Sequence, residues 1–277
     1  MSSSCSGNCK SCSSEGGCEN KAAAERLKKI GKAVLVLSGK GGVGKSTVAA
    51  ALAVQLARAG KRVGLLDVDF HGPSQPTLFG VQHLRADATE AGMQPLEVAG
   101  GVRLMSLALL LDEPDQAVIW RGPVKMGVIK QLIEEVEWGE LDYLVLDFPP
   151  GTGDESLSAC QLLTIDKEAV VVTTPQEVAL ADCRKCLDFC KRLQVPVVGI
   201  VENMSGFVCP KCGSRHELFS SGGGEQLARL GGVPLLARIP LDPEFLQSCD
   251  RGALAEGLLE SKEVGAELEH VARAVIG

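Results

Sequence analysis

The stretch from Gly39 to Thr47 contains the residue types that bind the phosphates of a nucleotide. It reads G-K-G-G-V-G-K-S-T and fits the pattern G-x-x-x-x-G-K-[ST]. Lys45 can reach the β- and γ-phosphates, the Ser46 hydroxyl can bind Mg²⁺, and Thr47 can support the α-phosphate. The loop also contains Val43 and four glycines that let the backbone turn tightly and direct N–H groups at phosphate oxygens: Gly39, Gly41, Gly42 and Gly44. The stretch therefore predicts a site for ATP and Mg²⁺.

Three aspartates follow apolar stretches of the chain. Asp67 and Asp69 follow one such stretch, and Asp147 follows another. A carboxylate at the carboxyl end of a strand, beside a phosphate-binding loop, can hold the waters of Mg²⁺ or orient a water for attack. The order of these residues after the loop favours that interpretation over isolated turn or cap residues.

Two further residues are candidates for contacts around the nucleotide, and a third is a candidate helix cap. Gly151 could direct its N–H at the γ-phosphate, and Asp154 is expected to cap the following helix. The amide of Asn203 can both donate to and accept from an adenine edge, although an asparagine that forms a turn fits the sequence equally well.

Cys209 and Cys212 form a C-x-x-C pair, and two thiolates at this spacing can bind one metal centre. They do not complete a site that needs four ligands. The same pair from a second chain would supply the other half, enough for one [4Fe–4S] cluster. Three alternatives remain open: zinc with His216 as a third ligand, a redox-active dithiol, and a structural pair of reduced cysteines.

Four more cysteines lie near the N-terminus in a stretch rich in Ser and Gly: Cys5, Cys9, Cys12 and Cys18. This stretch has almost no apolar side chains, so we expect a flexible tail unless a metal organises it. Four thiolates in so short a polar segment have no packing use, which favours a cluster site. Opportunistic metal binding is the alternative.

The remaining cysteines are expected to be structural. Cys183, Cys186 and Cys190 recur at helical spacing and therefore lie on one face of a predicted helix. This spacing is typical of small buried core side chains, with extra cluster ligands or relay thiols as the alternative. Cys160 and Cys249 are assigned to the core as well.

The elements that must position these residues follow a repeating pattern. Stretches that are apolar throughout alternate with helical stretches, which is typical of a parallel sheet with helices on both faces. Predicted strands are 33–38, 62–67, 102–107, 143–147, 169–174, 197–201 and 235–239. Predicted helices are 21–30, 46–59, 123–137, 154–164, 178–193, 222–230 and 243–276. We therefore predict an α/β, P-loop NTPase fold, with a Cys-rich tail at 1–25 and an ATPase domain at 26–277.

Composition limits the classes of partner. The 277 residues carry a net charge of −7, and the pI is near 5.3. A chain of this charge is not expected to bind nucleic acid non-specifically. It has no apolar run long enough to span a bilayer and no secretory signal pattern, so no membrane association is expected. These features predict a cytoplasmic protein whose thiols stay reduced.

The early lysine of the loop, Lys40, identifies a subclass. The run G-K-G-G-V-G-K-S-T resembles the deviant Walker A class, which includes the MinD, ParA, ArsA and nitrogenase iron-protein families. The resemblance implies an ATP-linked homodimer in which Lys40 contacts the nucleotide of the facing subunit, as an arginine finger does elsewhere. It also implies that Asp69 positions the attacking water, that Asp67 belongs to the Mg²⁺ shell, and that Asp147 is the Walker B carboxylate.

Four longer motifs resemble the Mrp/NBP family of iron–sulfur cluster carrier ATPases, over roughly residues 30 to 277. They are D-V-D-F-H-G-P-S (67–74), D-F-P-P-G-T-G-D (147–154), V-T-T-P-Q-E-V-A-L (172–180) and E-N-M-S-G-F-V-C-P-K-C (202–212). The resemblance implies a weak ATPase that binds a labile [4Fe–4S] cluster, bridged by Cys209 and Cys212 of two subunits, and passes it to apo-proteins.

The tail resembles one branch of that family. The spacing Cys9-x2-Cys12-x5-Cys18 is similar to the N-terminal cluster motif of the eukaryotic cytosolic scaffolds. In that branch a fourth cysteine lies further upstream than Cys5 does here, so the ligand role of Cys5 is the least supported of the four. Two other functions remain as alternatives: a MinD/ParA-like positioning ATPase, and a nucleotide-gated electron donor that resembles the nitrogenase iron protein.

Overall fold

A mostly parallel sheet forms the centre of the protein. The computed structural model describes residues 22–70, 72–89, 92–111, 122–209, 211–212, 214–219 and 222–277. Its strands are β1 (Ile30–Ser38), β2 (Val63–Asp67), β3 (Ala88–Thr89), β4 (Gly92–Met93), β5 (Leu96–Val98), β6 (Val102–Ser106), β7 (Leu141–Asp147), β8 (Lys167–Thr173), β9 (Val197–Val208), β10 (Arg215–His216) and β11 (Leu235–Leu241).

Nine of these strands form one sheet in the order β10-β9-β8-β1-β7-β2-β6-β5, with β11 also pairing with β9. The pairings from β11 through β9, β8, β1, β7 and β2 to β6 are all parallel, and β5 and β10 add antiparallel edges. The carboxyl ends of the parallel strands therefore meet at one edge of the sheet, which is where ligands bind in such folds.

Helices cover both faces of the sheet. Residues 22–27 are helical (α1). The other helices are α2 (Lys45–Arg58), α3 (Gln75–Leu78), α4 (Gly122–Glu134), α5 (Asp154–Leu162), α6 (Glu177–Arg192), α7 (Gly223–Gly231), α8 (Pro243–Asp250), α9 (Leu254–Glu260) and α10 (Lys262–Ile276). No helix among the described residues combines the length and the hydropathy that a bilayer span requires.

The apolar middle of strand β1 follows from its position between two layers of helices. Val34 and Val36 pack in one core cluster with α2, α9 and α10, whereas Leu35 and Leu37 pack on the opposite face with α4 and α5. Because successive side chains of a strand point to opposite faces, the part of a strand that is covered on both sides is apolar at every position. The predicted α/β fold is confirmed.

Several predicted boundaries were wrong for tertiary reasons. Ile30, predicted to end a helix, begins β1 because it is buried and pairs with Leu141 of β7. The predicted helix 243–276 is three helices. Gly252, with φ +73°, turns the chain between α8 and α9, and Ser261, with φ −85° and ψ 95°, separates α9 from α10. The division into a tail at 1–25 and a domain at 26–277 stays a prediction.

Asp154 does not cap α5 as predicted. The N-cap is Gly153, no side chain caps that end of the helix, and Asp154 is the first helical residue. A carboxylate in the first turn still interacts favourably with the positive end of the helix dipole.

Candidate nucleotide site and cysteine loop

The predicted phosphate-binding loop lies between β1 and α2. Gly42 and Gly44 both have φ +79°, a left-handed conformation that glycine adopts without strain. Gly44 is also the N-cap of α2, and no side chain occupies its capping position. The first N–H groups of α2, which begins at Lys45, are thus left for an anion such as a phosphate.

Gly39 is required for a different reason from the one predicted. A Cβ at this position would lie 2.3 Å from the carbonyl carbon of Asp182 and 2.4 Å from the nitrogen of Cys183, both in the backbone of α6. Only glycine allows this approach, so the loop rests directly on α6. Gly41 has no such neighbour: the closest atom to its Cβ position is Cγ of Pro150, at 3.9 Å.

Lys45 forms a buried ion pair with Asp147. Its ammonium donates to Oδ1 of Asp147 and lies 3.2 Å from Oγ of Ser46. Lys45 is 6% exposed and Asp147 is fully buried. The pair forms because β7 lies beside β1, with Asp147 opposite Val36 in the register. In this conformation the lysine that is predicted to contact phosphates is held by a carboxylate.

Gln75 joins three parts of the site, and sequence reasoning missed it. Its Nε2 donates to Oδ2 of Asp147 at 2.8 Å and to the carbonyl oxygen of Ser46 at 3.0 Å. Its backbone nitrogen donates to Oδ2 of Asp67 at 3.3 Å. The residue is fully buried at the start of α3. Nothing in a lone glutamine before a proline signals these contacts.

Asp67 of β2 and Asp147 of β7 lie opposite each other in the strand register, and both are fully buried. Asp67 accepts hydrogen bonds from the backbone nitrogen of Asp69 at 3.1 Å and from Oγ of Ser106 at 3.2 Å. Burial, with a smaller contribution from the Asp147 charge, raises the pKa of Asp67 to about 8, although Lys45 opposes the shift. Sequence reasoning did not find Ser106.

The donor set fits the predicted Mg²⁺. The Ser46 hydroxyl and the carboxylates of Asp67 and Asp147 present oxygen atoms only, which is the ligand type that this small, hard cation prefers. The single positive charge of Lys45 does not balance two buried carboxylates on adjacent strands. A divalent cation would supply the missing charge and favour their ionised forms.

The raised pKa of Asp67 makes a pH-dependent contribution to stability. Between pH of about 4 and 8, Asp67 binds more protons in the folded chain than in the unfolded chain, so its contribution to the free energy of unfolding falls as pH rises. We expect the difference in unfolding free energy between the unmodified chain and Asp67→Asn to decrease from pH 4.5 to pH 8. Urea unfolding without nucleotide or metal measures this difference.

Asp142→Asn is a suitable control for this measurement. Arg62 lowers the pKa of Asp142 to about 2, so its contribution changes only below the pH range used. A difference for Asp67→Asn that stays flat, or grows, over the same range would contradict the expected protonation of Asp67.

The other predicted contact residues are engaged within the chain or lie at its surface. The N–H of Gly151 donates to the carbonyl oxygen of Ser38 at 2.8 Å. Asp69 is half-buried, Thr47 is half-buried at the start of α2, and Lys40 is exposed. The nucleotide contacts of these residues stay predictions.

Asn203 contacts the phosphate-binding loop. It lies inside β9, and its Nδ2 donates to the carbonyl oxygen of Val43 at 2.9 Å. A Cβ on Gly44 would lie 2.2 Å from the same nitrogen, so the asparagine rests on the bend of the loop. The amide therefore supports the loop in this conformation, and its predicted contact with adenine stays a prediction.

The C-x-x-C pair lies on a loop immediately after β9. Cys209 is half-buried and Cys212 is exposed. Sγ of Cys212 is 2.9 Å from Oγ of Ser214, which is itself 2.9 Å from Nε2 of His216. Hydrogen bonds from Ser214, and a smaller one from Cys209, lower the pKa of the Cys212 thiol.

Ser214 thus lies between Cys212 and the histidine of the alternative zinc site. Within the described part of the chain, no three His, Cys, Asp or Glu side chains are grouped so that they could hold a metal ion. The predicted cluster ligands of the tail, Cys5, Cys9, Cys12 and Cys18, lie outside the described residues.

The prediction that the other cysteines pack in the core is confirmed. All five are buried: Cys160, Cys183, Cys186, Cys190 and Cys249. Burial raises the pKa of Cys160 and of Cys249 to about 11, and that of Cys190 to about 12. Thiols with such pKa values are poor metal ligands at neutral pH.

The chain is similar to named relatives over most of its length. It is 52% identical over 223 residues to cytosolic Fe-S cluster assembly factor NUBP2 of Gallus gallus, covering 79% of this chain and 82% of the relative. It is 50% identical to the protein of that name from Homo sapiens, with the same coverage. The word cytosolic in these names agrees with the cytoplasmic location predicted above.

Solved structures share the fold. A nucleotide-binding protein of Archaeoglobus fulgidus in complex with ADP is 42% identical, with a TM-score of 0.76 over 86% of this chain and 93% of that chain. The cell division ATPase MinD of Pyrococcus furiosus is 24% identical, with a TM-score of 0.64 over 88% of this chain and 98% of that chain. The second likeness concerns the fold alone.

A family model described as NUBPL iron-transfer P-loop NTPase matches residues 29–276. The match includes the loop, both buried aspartates and the C-x-x-C pair. The resemblance inferred from the motifs is thereby confirmed, and the chain belongs to the NUBPL iron-transfer P-loop NTPase family.

Proposed function

We propose that this chain is an ATP-dependent iron–sulfur carrier that acts as a homodimer in the cytosol. It binds a labile [4Fe–4S] cluster as cargo between Cys209 and Cys212 of two copies, passes it to apo-proteins, and hydrolyses ATP slowly. The names of its relatives, cytosolic Fe-S cluster assembly factors, and the ADP in the Archaeoglobus fulgidus structure support this proposal.

The observation that carries the proposal is that one strand, β9, contacts the phosphate-binding loop and leads directly into the loop with the C-x-x-C pair. Asn203 of β9 donates to the phosphate-binding loop, and Cys209 follows six residues later along the same strand and loop. This segment spans at most about 20 Å at the rise of an extended chain. A change in the loop on nucleotide binding therefore has a short covalent path to the thiols.

An irregularity in β9 lies on that path. Asn203 pairs with Ile239 of β11, and Phe207 pairs with Leu241, so four residues of β9 span two residues of β11. Within this bulge Met204 has φ +56° and Gly206 has φ +87°. A non-glycine residue in the left-handed region is uncommon and is found at switch regions. The bulge gives the segment a place at which to change its conformation.

The nucleotide half of the proposal assigns a role to each loop residue. The N–H groups of the loop and of α2 bind the phosphates, and Lys45 exchanges Asp147 for the β- and γ-phosphates. Asp69 orients the water, and Lys40 of a second copy stabilises the charge that develops on the γ-phosphate. Ser46, with Asp67 and Asp147 nearby, would hold Mg²⁺, which would supply positive charge to neutralise the phosphates.

The cargo half rests on ligand number. One chain offers two thiols at 209 and 212, and a [4Fe–4S] cluster takes four cysteines. Two copies related by a twofold axis supply them symmetrically. ATP can affect such a cluster only if it binds more tightly to one arrangement of the two copies than to another. The tail cysteines form a second cluster site in this proposal.

Anaerobic metal analysis tests the proposal. The full chain is compared with a variant in which Cys5, Cys9, Cys12 and Cys18 are all serine, so that only the 209/212 site can bind a cluster. After reconstitution with iron and sulfide, we expect this variant to be a dimer with about two iron and two sulfide ions per chain, and the unmodified chain to bind more.

Iron, sulfide and zinc are quantified on the same samples, and the mass is measured by light scattering. A variant that is a monomer, holds zinc and contains no acid-labile sulfide would refute the bridging cluster. Equal iron in the two proteins would refute the second cluster only.

A further inference from the structure

The side-chain amide of Gln75 has a fixed orientation. Its Nε2 lies between two acceptors, Oδ2 of Asp147 and the carbonyl oxygen of Ser46. Rotating the amide by 180° would place an oxygen against both acceptors, so the NH₂ group must face them. Oε1 is buried without a donor among the described residues, which shows that the amide is held by what its NH₂ group contacts.

Nucleotide binding creates a difficulty for Asp147. Its carboxylate is fully buried, and its hydrogen-bonding partners in the described structure are Lys45 and Gln75. When Lys45 leaves for the phosphates, the carboxylate loses its counter-charge. A buried carboxylate without a partner is strongly unfavourable, so the group that stays behind determines how easily Lys45 can leave.

We propose that Gln75 is a positioning residue, whose amide holds Asp147 while Lys45 moves from that carboxylate to the nucleotide. The backbone of Gln75 is tied to Asp67, and its amide is tied to the first turn of α2 through Ser46, so the donor stays in place when Lys45 moves. The inference rests on the nucleotide-binding half of the proposed function and is independent of the cluster.

The contribution of Gln75 depends on the divalent cation. A bound Mg²⁺ would bring positive charge near Asp147 and would partly replace Lys45. Without a metal, Gln75 is the donor that remains. Removing its amide should therefore weaken metal-free ATP binding more than Mg²⁺–ATP binding, whereas a residue that merely stabilises the fold would affect both alike.

The test compares two buried glutamines. Gln75→Met removes the amide at the site and keeps a side chain of similar length. Gln55→Met is the matched control, because Gln55 is also buried and its Nε2 donates to the carbonyl oxygen of Gly265 in α10, away from the loop. The dissociation constant of ATP is measured by titration calorimetry with the full chain, in Mg²⁺ and in EDTA.

We expect the ratio of the EDTA constant to the Mg²⁺ constant to rise about tenfold or more in Gln75→Met, the effect of one hydrogen bond to a charged group. The ratio should not change in Gln55→Met, even if its melting temperature falls. Gln75→Leu gives the same readout if the methionine variant does not fold.

An unchanged ratio in a folded Gln75 variant, or an equal rise in Gln55→Met, would overturn this inference. It would leave the proposed function standing. Failure of the unmodified chain to bind ATP in Mg²⁺ would instead refute the proposed function itself.

Discussion

Lys40→Ala is expected to lower the rate of ATP hydrolysis by about a thousandfold or more while ATP binding is retained. Lys40 is exposed on the loop, and the lysine buried against Asp147 is Lys45. An exposed cation can reach the γ-phosphate of a facing subunit, where it would stabilise the charge of the transition state. Single-turnover hydrolysis of bound ATP measures the loss.

Mixing two inactive chains tests whether Lys40 acts across the dimer. Asp69→Asn lacks the proposed water-positioning carboxylate but has Lys40. In a mixed dimer with Lys40→Ala, one of the two sites has both its own Asp69 and the partner's lysine. An equal mixture should therefore recover about a quarter of the activity of the unmodified dimer.

Lys185→Ala is the matched control for this prediction. Lys185 pairs with Asp182, whose pKa it lowers, and Lys40 adds a smaller contribution to the same shift. Only Lys40 belongs to the loop, so Lys185→Ala should keep its hydrolysis rate. If the mixture stays inactive although mixed dimers form, or if Lys40→Ala hydrolyses ATP normally, Lys40 has no role across the interface.

Cys209→Ala, combined with serine at the four tail cysteines, is expected to lose almost all reconstituted iron and sulfide. Two thiolates per dimer would remain, and these cannot hold a cluster that takes four. When both proteins are free of cluster, the ATP affinity should equal that of the unmodified chain, because Cys209 lies beyond the bulge of β9 and does not form the phosphate-binding loop. Iron and sulfide assays beside an ATP titration check both halves of this expectation.

Two further variants make the result specific. Cys249→Ala removes a buried thiol of the core and should keep the cluster. His216→Ala separates the two metals, because a zinc site of two cysteines and one histidine would lose its metal and a bridging cluster would not. Retention of full iron by Cys209→Ala, or loss of metal in His216→Ala, would contradict the bridging site.

The central strands could be predicted because a strand that is buried on both faces has a continuous run of apolar residues in the sequence. Val34 to Leu37 read as a continuous apolar run since each face of β1 packs in its own cluster. No such run marks the short strands β3, β4, β5 and β10, which have only two or three residues each. β9 was predicted to end at residue 201, yet it continues to Val208 because β11 pairs with it as far as Phe207 and β10 pairs with its last two residues.

The residues of the candidate site also fall into two groups, those that a sequence motif predicts and those that it does not. Lys45 and Asp147 were selected as candidates from sequence motifs, and the structure brings them together as a buried ion pair. Contacts that depend on distant segments were not predicted, because Gln75 and Ser106 reach the aspartates only after the strands have paired. Gly39 was identified for its flexibility, whereas the structure requires it for the approach of α6.

The close approach of Gly39 to α6 offers a second path, besides β9, by which a structural change in the phosphate-binding loop could reach other parts of the molecule. No side chain separates the loop at Gly39 from the backbone of α6, so a shift of the loop toward the helix would have to displace the helix as well. The helix runs on to Arg192, ten residues past Asp182, or about 15 Å further along its axis. A displacement of the loop on phosphate binding would therefore be passed along this helix to its end at Arg192, far from the loop.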